Sequence, residues 1–235
     1  MNAIIILSGG LDSSVVAYYV KYKLNYKNIK CIFFNYSQRT KGLEEKAARI
    51  ISKSIGAELI KVEIPWLGKI STSLINKEQD VPKTSEKDME DIKKEKEEIL
   101  NWWIPCRNSL FINIALAHAE SYDLSNKGKY DIFLGIKDEG KVAMKDTTPE
   151  FLEIMNKMAE HATHKGNYRI IAPLIDKDKP ETVKIGYDLK VPFELTYSCY
   201  KGEPDGSHCG YCSNCMQRKK AFHWAGIKDP TKYSK

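Results

Sequence analysis

The sequence has no run of apolar residues approaching the length of a membrane-spanning helix, and its N-terminus lacks the architecture of a signal peptide. Both absences lead to the expectation of a cytoplasmic protein. No internal repeat is present. Charge of one sign is scarce too: 37 basic against 31 acidic residues leave a net +6 over 235 residues, spread over scattered lysines. That balance is compatible with nucleotide phosphates and demands no nucleic acid. Core material, by contrast, is ample. Hydrophobic residues make up 42% and charged residues 29% of the chain, as expected for one large soluble domain or a domain with a small appendix.

Ile4-Ile5-Ile6-Leu7 and residues 30–37 read as strands buried on both faces, 57–65 as a third strand and 130–136 as another. Residues 42–56 read as an amphipathic helix ended by Gly56, and 109–121, 148–162 and 180–190 as further helices. This alternation predicts an α/β fold with a doubly wound, Rossmann-like parallel sheet. The expected organisation is a nucleotide domain over 1–190, in which 72–98 is a mobile charged segment, followed by a small helical, cysteine-bearing subdomain over 191–235.

The first strand runs directly into Ser8-Gly9-Gly10-Leu11-Asp12-Ser13-Ser14 and then an apolar helical stripe. A strand, a glycine turn and a helix N-terminus gather unpaired N–H groups and the positive end of the helix dipole, which makes an anion site. The plain alternative is a tight βα turn capped by Asp12 or Ser13. The stretch has neither the lysine of a Walker loop nor the three-glycine spacing of a dinucleotide fold. It is rich in hydroxyls instead, and Asp12 is a candidate magnesium ligand. It resembles the PP-loop of ATP pyrophosphatases, which cleave ATP between the α and β phosphates. The resemblance implies that Ser8, Gly9, Gly10, Leu11, Asp12, Ser13 and Ser14 hold ATP, with Mg2+ as a companion.

Four of the six cysteines, Cys199, Cys209, Cys212 and Cys215, fall together, the last three as C-x-x-C-x-x-C. Thiolates at that spacing can converge on one ion from a tight turn. Four of them close a tetrahedral, structural zinc site; an iron–sulfur cluster takes the same ligand number. Disulfides do not suit the expected compartment. His208 and His223 are read as non-ligands and Cys31 as a packing residue.

The PP-loop, "YSQR" (36–39), "WIPCRNSLFINIA" (103–115), "APLIDKDKPE" (172–181), "VPFELTYSCY" (191–200) and the terminal cysteines occur in an order that resembles the 7-cyano-7-deazaguanine (preQ0) synthase family, QueC, over essentially the whole chain. That family activates the carboxylate of 7-carboxy-7-deazaguanine as an acyl adenylate, converts it with ammonia to the amide, and dehydrates the amide to the nitrile. The resemblance implies catalytic roles for Asp12, Arg39, Lys179 and Arg107, with Gln38 beside the phosphates. Arg107, Asn108, Glu139 and Asp146 would meet the deazaguanine, whose N1–H and 2-amino donors call for a carboxylate. Asp146 has a plain alternative as a helix cap. The chain departs from the family pattern in 135–151: Met144-Lys145-Asp146 replaces an aromatic-proline-aspartate, and Lys137 stands where an asparagine is usual. Cys106 is also unexpected.

These departures touch the acceptor. Some relatives found with antiphage defence genes join the same acyl group to a protein N-terminal amine, and a protein N-terminus is the rival partner to ammonia. A tRNA-thiolating enzyme using Cys106 and a nucleic-acid-binding zinc module resting on Arg218-Lys219-Lys220 are further alternatives. A homodimer without stable nucleic-acid or membrane binding is expected.

Overall fold

The computed structural model describes residues 1–77, 79–85, 99–138, 140 and 144–234. Its strands are β1 (Asn2–Ile6), β2 (Asn28–Asn35), β3 (Glu58–Glu63), β4 (Tyr130–Leu134) and β5 (Ile170–Ile171). Its helices are α1 (Leu11–Tyr18), α2 (Lys41–Ser54), α3 (Pro65–Ile70), α4 (Arg107–Leu124), α5 (Pro149–Ala162), α6 (Lys179–Asp188) and α7 (Ser213–Ala225). The strands form one parallel sheet in the order β3-β2-β1-β4-β5, with Ile4 of β1 opposite both Lys30 and Ile132.

β1 is apolar after Asn2 because both of its faces are covered. Ala3 and Ile5 point to a core shared with Val15 and Val16 of α1, Ile51 of α2, Val183 of α6 and Phe222 of α7. Ile4 points the other way, with Ile132, to Ile112 and Ala115 of α4 and Met155 of α5. The doubly wound expectation is met. The two-residue β5 was not anticipated, since a strand that short carries no periodicity. The 72–98 segment differs from expectation in its described half: Ile75 and Val81 are buried and anchor it. The Ile75 carbonyl accepts from the Arg39 N–H, and the Thr84 N–H donates to the Tyr211 carbonyl. Residues 78 and 86–98 of that segment lie outside the described residues.

Strand order reverses between β1 and β4, so a crevice opens at their carboxyl ends, the usual ligand position in such sheets. Two glycines make it tight. Gly9 has φ +81°, and a Cβ there would sit 2.6 Å from the Glu44 carbonyl oxygen and 2.7 Å from the Ala48 nitrogen. A Cβ on Gly135, just past β4, would sit 2.8 Å from the Ser13 nitrogen. Gly10 is not crowded in this way, its nearest such neighbour being Ser8 Oγ at 3.4 Å. Gly9→Ala should therefore cost about 2–4 kcal/mol of stability, from positive φ and overpacking together, and Gly10→Ala under about 1 kcal/mol. Denaturant unfolding of the two variants checks the difference; equal losses would contradict it.

Candidate active site and metal centre

A cavity of about 380 Å³ occupies the crevice. Gly10 is the N-cap of α1 and supplies no capping side chain, so neither Asp12 nor Ser13 caps the helix. The hydroxyls of Ser13 and Ser14 both donate to the Gly10 carbonyl, at 3.2 and 2.8 Å, and Ser8 Oγ lies 3.0 Å from Ser13 Oγ. These bonds fix the turn, leaving the first-turn N–H groups of α1 to a ligand. Ser8, Gly10, Leu11, Asp12 and Ser13 line the cavity. Gly9 faces α2 instead, and Ser14 is fully buried with its hydroxyl on the backbone.

Asp12 does not stand alone. Lys137 Nζ lies 3.3 Å from one carboxylate oxygen and Lys179 Nζ 3.8 Å from the other. Burial raises the Asp12 pKa, but Lys179 and Lys137 outweigh it and hold the carboxyl below its ordinary range. Lys179 opens α6, whose N-cap Asp178 forms a reciprocal capping box with Glu181. Both Asp12 oxygens thus face ammonium groups, and the buried Oδ1 makes no hydrogen bond, which leaves it able to meet a cation. Lys137 was visible in the sequence only as an irregularity; the missed signal is a lysine three residues past a buried strand at the reversal point.

On the opposite wall, Arg107 opens α4 and lines the cavity. Tyr36, Asp146 and Tyr200 hold its charged form, raising its pKa against the cost of burial. Asn108 Nδ2 donates to the Asp146 carbonyl at 3.0 Å. Asp146 is 8% exposed, and its Oδ1 has no hydrogen-bond partner among the described residues. It does not cap α5: Thr148 is the N-cap, and its hydroxyl accepts from the Phe151 N–H at 3.2 Å. Its turn meets the cavity through Met144 and Thr147. Glu139 lies outside the described residues.

Arg39 is not brought to this cavity; its Nη2 donates to the Gln79 carbonyl at 2.9 Å. The reason is local. Ser37 has φ +61°, and the turn it makes sends Gln38 inward and Arg39 away. Gln38 lines the cavity, but its amide serves the chain: Oε1 accepts from the Tyr36 N–H, and Nε2 donates to the Phe34 carbonyl and to Glu44, each at 3.0 Å. Glu44, overlooked in the sequence, is a cavity carboxylate held by Gln38 and Thr40. Burial pushes its pKa above the ordinary 4.5 despite those bonds and Arg107.

The sulfurs of Cys199, Cys209, Cys212 and Cys215 lie within 4.8 Å of one another, all four residues buried. The N–H groups of Gly202 and Cys209 donate to Cys199 Sγ, and that of Cys212 to Cys209 Sγ, each at 3.3 Å. Cys215 lies in the first turn of α7, where the dipole favours thiolate. This donor set fits a closed tetrahedral site for a metal such as zinc. His208 is not a ligand: its Nε2 accepts from the Ser198 N–H at 3.0 Å.

Of the expected basic run, Arg218 is 2% exposed and bonds Thr196 Oγ1 at 2.8 Å and the Phe193 carbonyl at 2.9 Å. Lys219 donates to the Gly210 carbonyl, and Lys220 sits over the Trp224 ring. The run makes no basic patch. Cys106 is exposed, and Cys31 is fully buried in β2.

Sheet order, glycine loop and reversal-point cavity together define an α/β nucleotide fold of the PP-loop ATP pyrophosphatase class. A family model described as queuosine biosynthesis protein QueC matches residues 2–226, and the chain belongs to that family. A protein named 7-cyano-7-deazaguanine synthase from Methanococcus maripaludis is 38% identical over 239 residues, spanning 99% of both chains. Another of that name, from Methanocaldococcus jannaschii, is 40% identical over 242 residues, again spanning 99% of both. Among solved structures, a 4-thiouridine synthetase–RNA complex with bound ATP is 17% identical with a TM-score of 0.46, covering 96% of this chain and 50% of that one.

Two outcomes follow from this geometry. Cys212→Ser should fail to retain stoichiometric metal and should unfold at lower temperature, because metal binding contributes directly to folding, whereas Cys106→Ser should do neither. Metal analysis with thermal melts checks both. For Glu44, the folded state binds a proton more tightly than the unfolded state, so its contribution to stability falls as pH rises above about 4.5. Glu44→Gln should remove that loss, and its melting temperature relative to wild type should rise from pH 4.5 towards neutrality.

Proposed function

We propose that the chain is an ATP-dependent carbon–nitrogen ligase that adenylates 7-carboxy-7-deazaguanine and converts it with ammonia to 7-cyano-7-deazaguanine. The observation that carries this reading is one cavity holding an uncapped helix N-terminus beside two ammonium groups, in a chain of the QueC family. Substrate carboxylate oxygen attacks the α-phosphorus, the bond to the β-phosphate bridging oxygen breaks, and pyrophosphate leaves. Charge grows on that leaving group, where Lys179, Lys137 and the first-turn N–H groups of α1 stabilise it. Ammonia then attacks the acyl carbon and AMP departs, giving the amide after loss of a proton. The amide oxygen then attacks the α-phosphorus of a second ATP and pyrophosphate leaves; loss of AMP from carbon and of the two nitrogen protons yields the nitrile.

The aromatic walls suit a planar heterocycle. Phe34 and Phe111 stack at 4.0 Å and Trp102 and Tyr200 at 4.5 Å, and all four line the cavity. Glu44, which lines the cavity, is the acceptor for the N1–H and 2-amino group; Asp146, with a buried oxygen lacking a partner, stands behind the lining residues Met144 and Thr147, and Arg107 and Asn108 hold this wall in place. The metal is zinc, and with four thiolate ligands it supplies structure and no open coordination position. Asp12, whose buried Oδ1 makes no hydrogen bond, is the carboxylate that would hold a magnesium ion brought on the nucleotide's phosphates.

A second reading, transfer of the acyl group to a protein N-terminal amine, is favoured by one observation: Met144 forms part of the cavity wall. An unbranched side chain there gives a more adaptable wall than an aromatic-proline pair. Thiolation through Cys106 lacks support, because that residue is outside the cavity and Cys31 is fully buried. Mass spectrometry of products from the carboxylate, ATP and ammonia, with and without peptide amines, separates the readings. Amide and nitrile are expected with ammonia alone. AMP with only unchanged carboxylate under ammonia, and a conjugate under peptide, would replace the first reading by the second.

A further inference from the structure

We propose that Tyr197 is a positioning residue that joins the two sites: its phenol is the outer donor to the Cys199 thiolate of the metal centre, and its backbone holds the glycine loop. The metal half stands on the four-cysteine geometry alone. The nucleotide half rests on the adenylating reading above and adds to it a linkage between metal and ATP.

Three observations carry it. First, Tyr197 is 7% exposed, and its phenol oxygen is buried with no hydrogen-bond partner among the described residues. A buried O–H without an acceptor has given up its hydration uncompensated. The acceptor on offer is Cys199. The phenol oxygen lies beside Gly202, 3.4 Å from where a Cβ there would sit, and the Gly202 N–H donates to Cys199 Sγ at 3.3 Å. Of the ionisable groups, the Cys199 thiolate acts on the phenol most strongly. A metal-bound thiolate keeps lone pairs for such a donor, and donors of this kind orient and tune metal ligands. Second, the ring is held in place. It packs on His208 at 4.7 Å between centroids, and His208 is itself pinned by the Ser198 N–H at 3.0 Å. Third, the backbone of the same residue meets both loop glycines. Its N–H donates to the Gly9 carbonyl at 2.8 Å, and its carbonyl oxygen lies 3.6 Å from where a Cβ on Gly10 would sit. Gly10 is the N-cap of α1, so the residue beside the metal ligand also sets the entry to the helix whose N–H groups take the anion. Filling the metal site fixes Cys199 and Tyr197, and with them the loop. A nucleotide on the loop must favour the metal in return, because such coupling is reciprocal.

Equilibrium competition of the full chain against a chelator for zinc tests both halves. Tyr197→Phe keeps the ring and the backbone and removes only the hydroxyl. It should bind zinc about 10- to 100-fold more weakly than wild type. With cobalt(II) in place of zinc, its sulfur-to-metal charge-transfer band should move to lower energy, because a thiolate freed of a donor releases charge more easily. A role in packing alone would leave that band where it is. For the wild-type chain, saturating ATP in excess magnesium should tighten zinc binding at least about fivefold. Unchanged zinc affinity in Tyr197→Phe, or an unmoved cobalt band, would overturn the role of the hydroxyl. Zinc affinity indifferent to ATP, in a chain that binds ATP, would overturn the linkage and leave the adenylating reading standing. A chain that binds no ATP overturns the linkage and that reading together. The ATP arm uses no variant, so it decides the linkage even if Tyr197→Phe fails to fold.

Discussion

The exit of β4 passes so close to the first turn of α1 that only a glycine fits, and the site depends on that approach. Gly135 would place a side chain 2.8 Å from the Ser13 nitrogen. Because it has none, the segment after β4 continues alongside the glycine loop and delivers Lys137 to Asp12. The sheet supplies the rest. β1 and β4 are paired in register from Asn2 with Tyr130 to Ile6 with Leu134, so both end at the same level and both following segments open into one crevice. A register slip would turn each strand's side chains to the wrong core and separate the two segments.

The cysteine lobe is joined to the glycine loop by the chain itself. The Tyr197 N–H donates to the Gly9 carbonyl at 2.8 Å, and Cys199 follows two residues later. Arg218 binds Phe193 and Thr196 from α7, and Asp229 holds its Nε at 3.4 Å. Burying a guanidinium is tolerable only with its donors satisfied, and these partners satisfy it. The cysteine-bearing turn and α7 therefore form the wall that faces the loop: Ser198, Cys199, Ser213 and Asn214 line the cavity. A metal held by the four thiolates would shape this cavity while offering it no open coordination position.

The alternation of buried strands and amphipathic helices made the α/β architecture legible, because burial on two faces leaves unbroken apolar runs such as Ile4-Ile5-Ile6. The glycine loop and cysteine spacing were equally direct. Side-chain direction was not. Whether Gln38 or Arg39 points inward turns on the left-handed φ of Ser37, a conformation that residue type does not announce. Asp146 was open to a reading as the cap of α5, and the Thr148 hydroxyl, accepting from the Phe151 N–H, takes that place instead. Lys137 and Glu44 escaped because each belongs to the site only through residues far away in the chain: an ion pair with Asp12 for the first, and a cavity wall and charge shared with Arg107 for the second. The charged stretch after Thr72 misled in its described half because Ile75 and Val81 are too few to show a period, yet suffice as anchors.

The account centres on reversible formation of an acyl adenylate in the β1–β4 crevice. The most direct measurement is exchange of labelled pyrophosphate into ATP, catalysed by the purified zinc-loaded chain. The account predicts exchange that requires 7-carboxy-7-deazaguanine and proceeds without ammonia or any other acceptor. Exchange that ignores the carboxylate, or cleavage of ATP to ADP with no exchange, would contradict it.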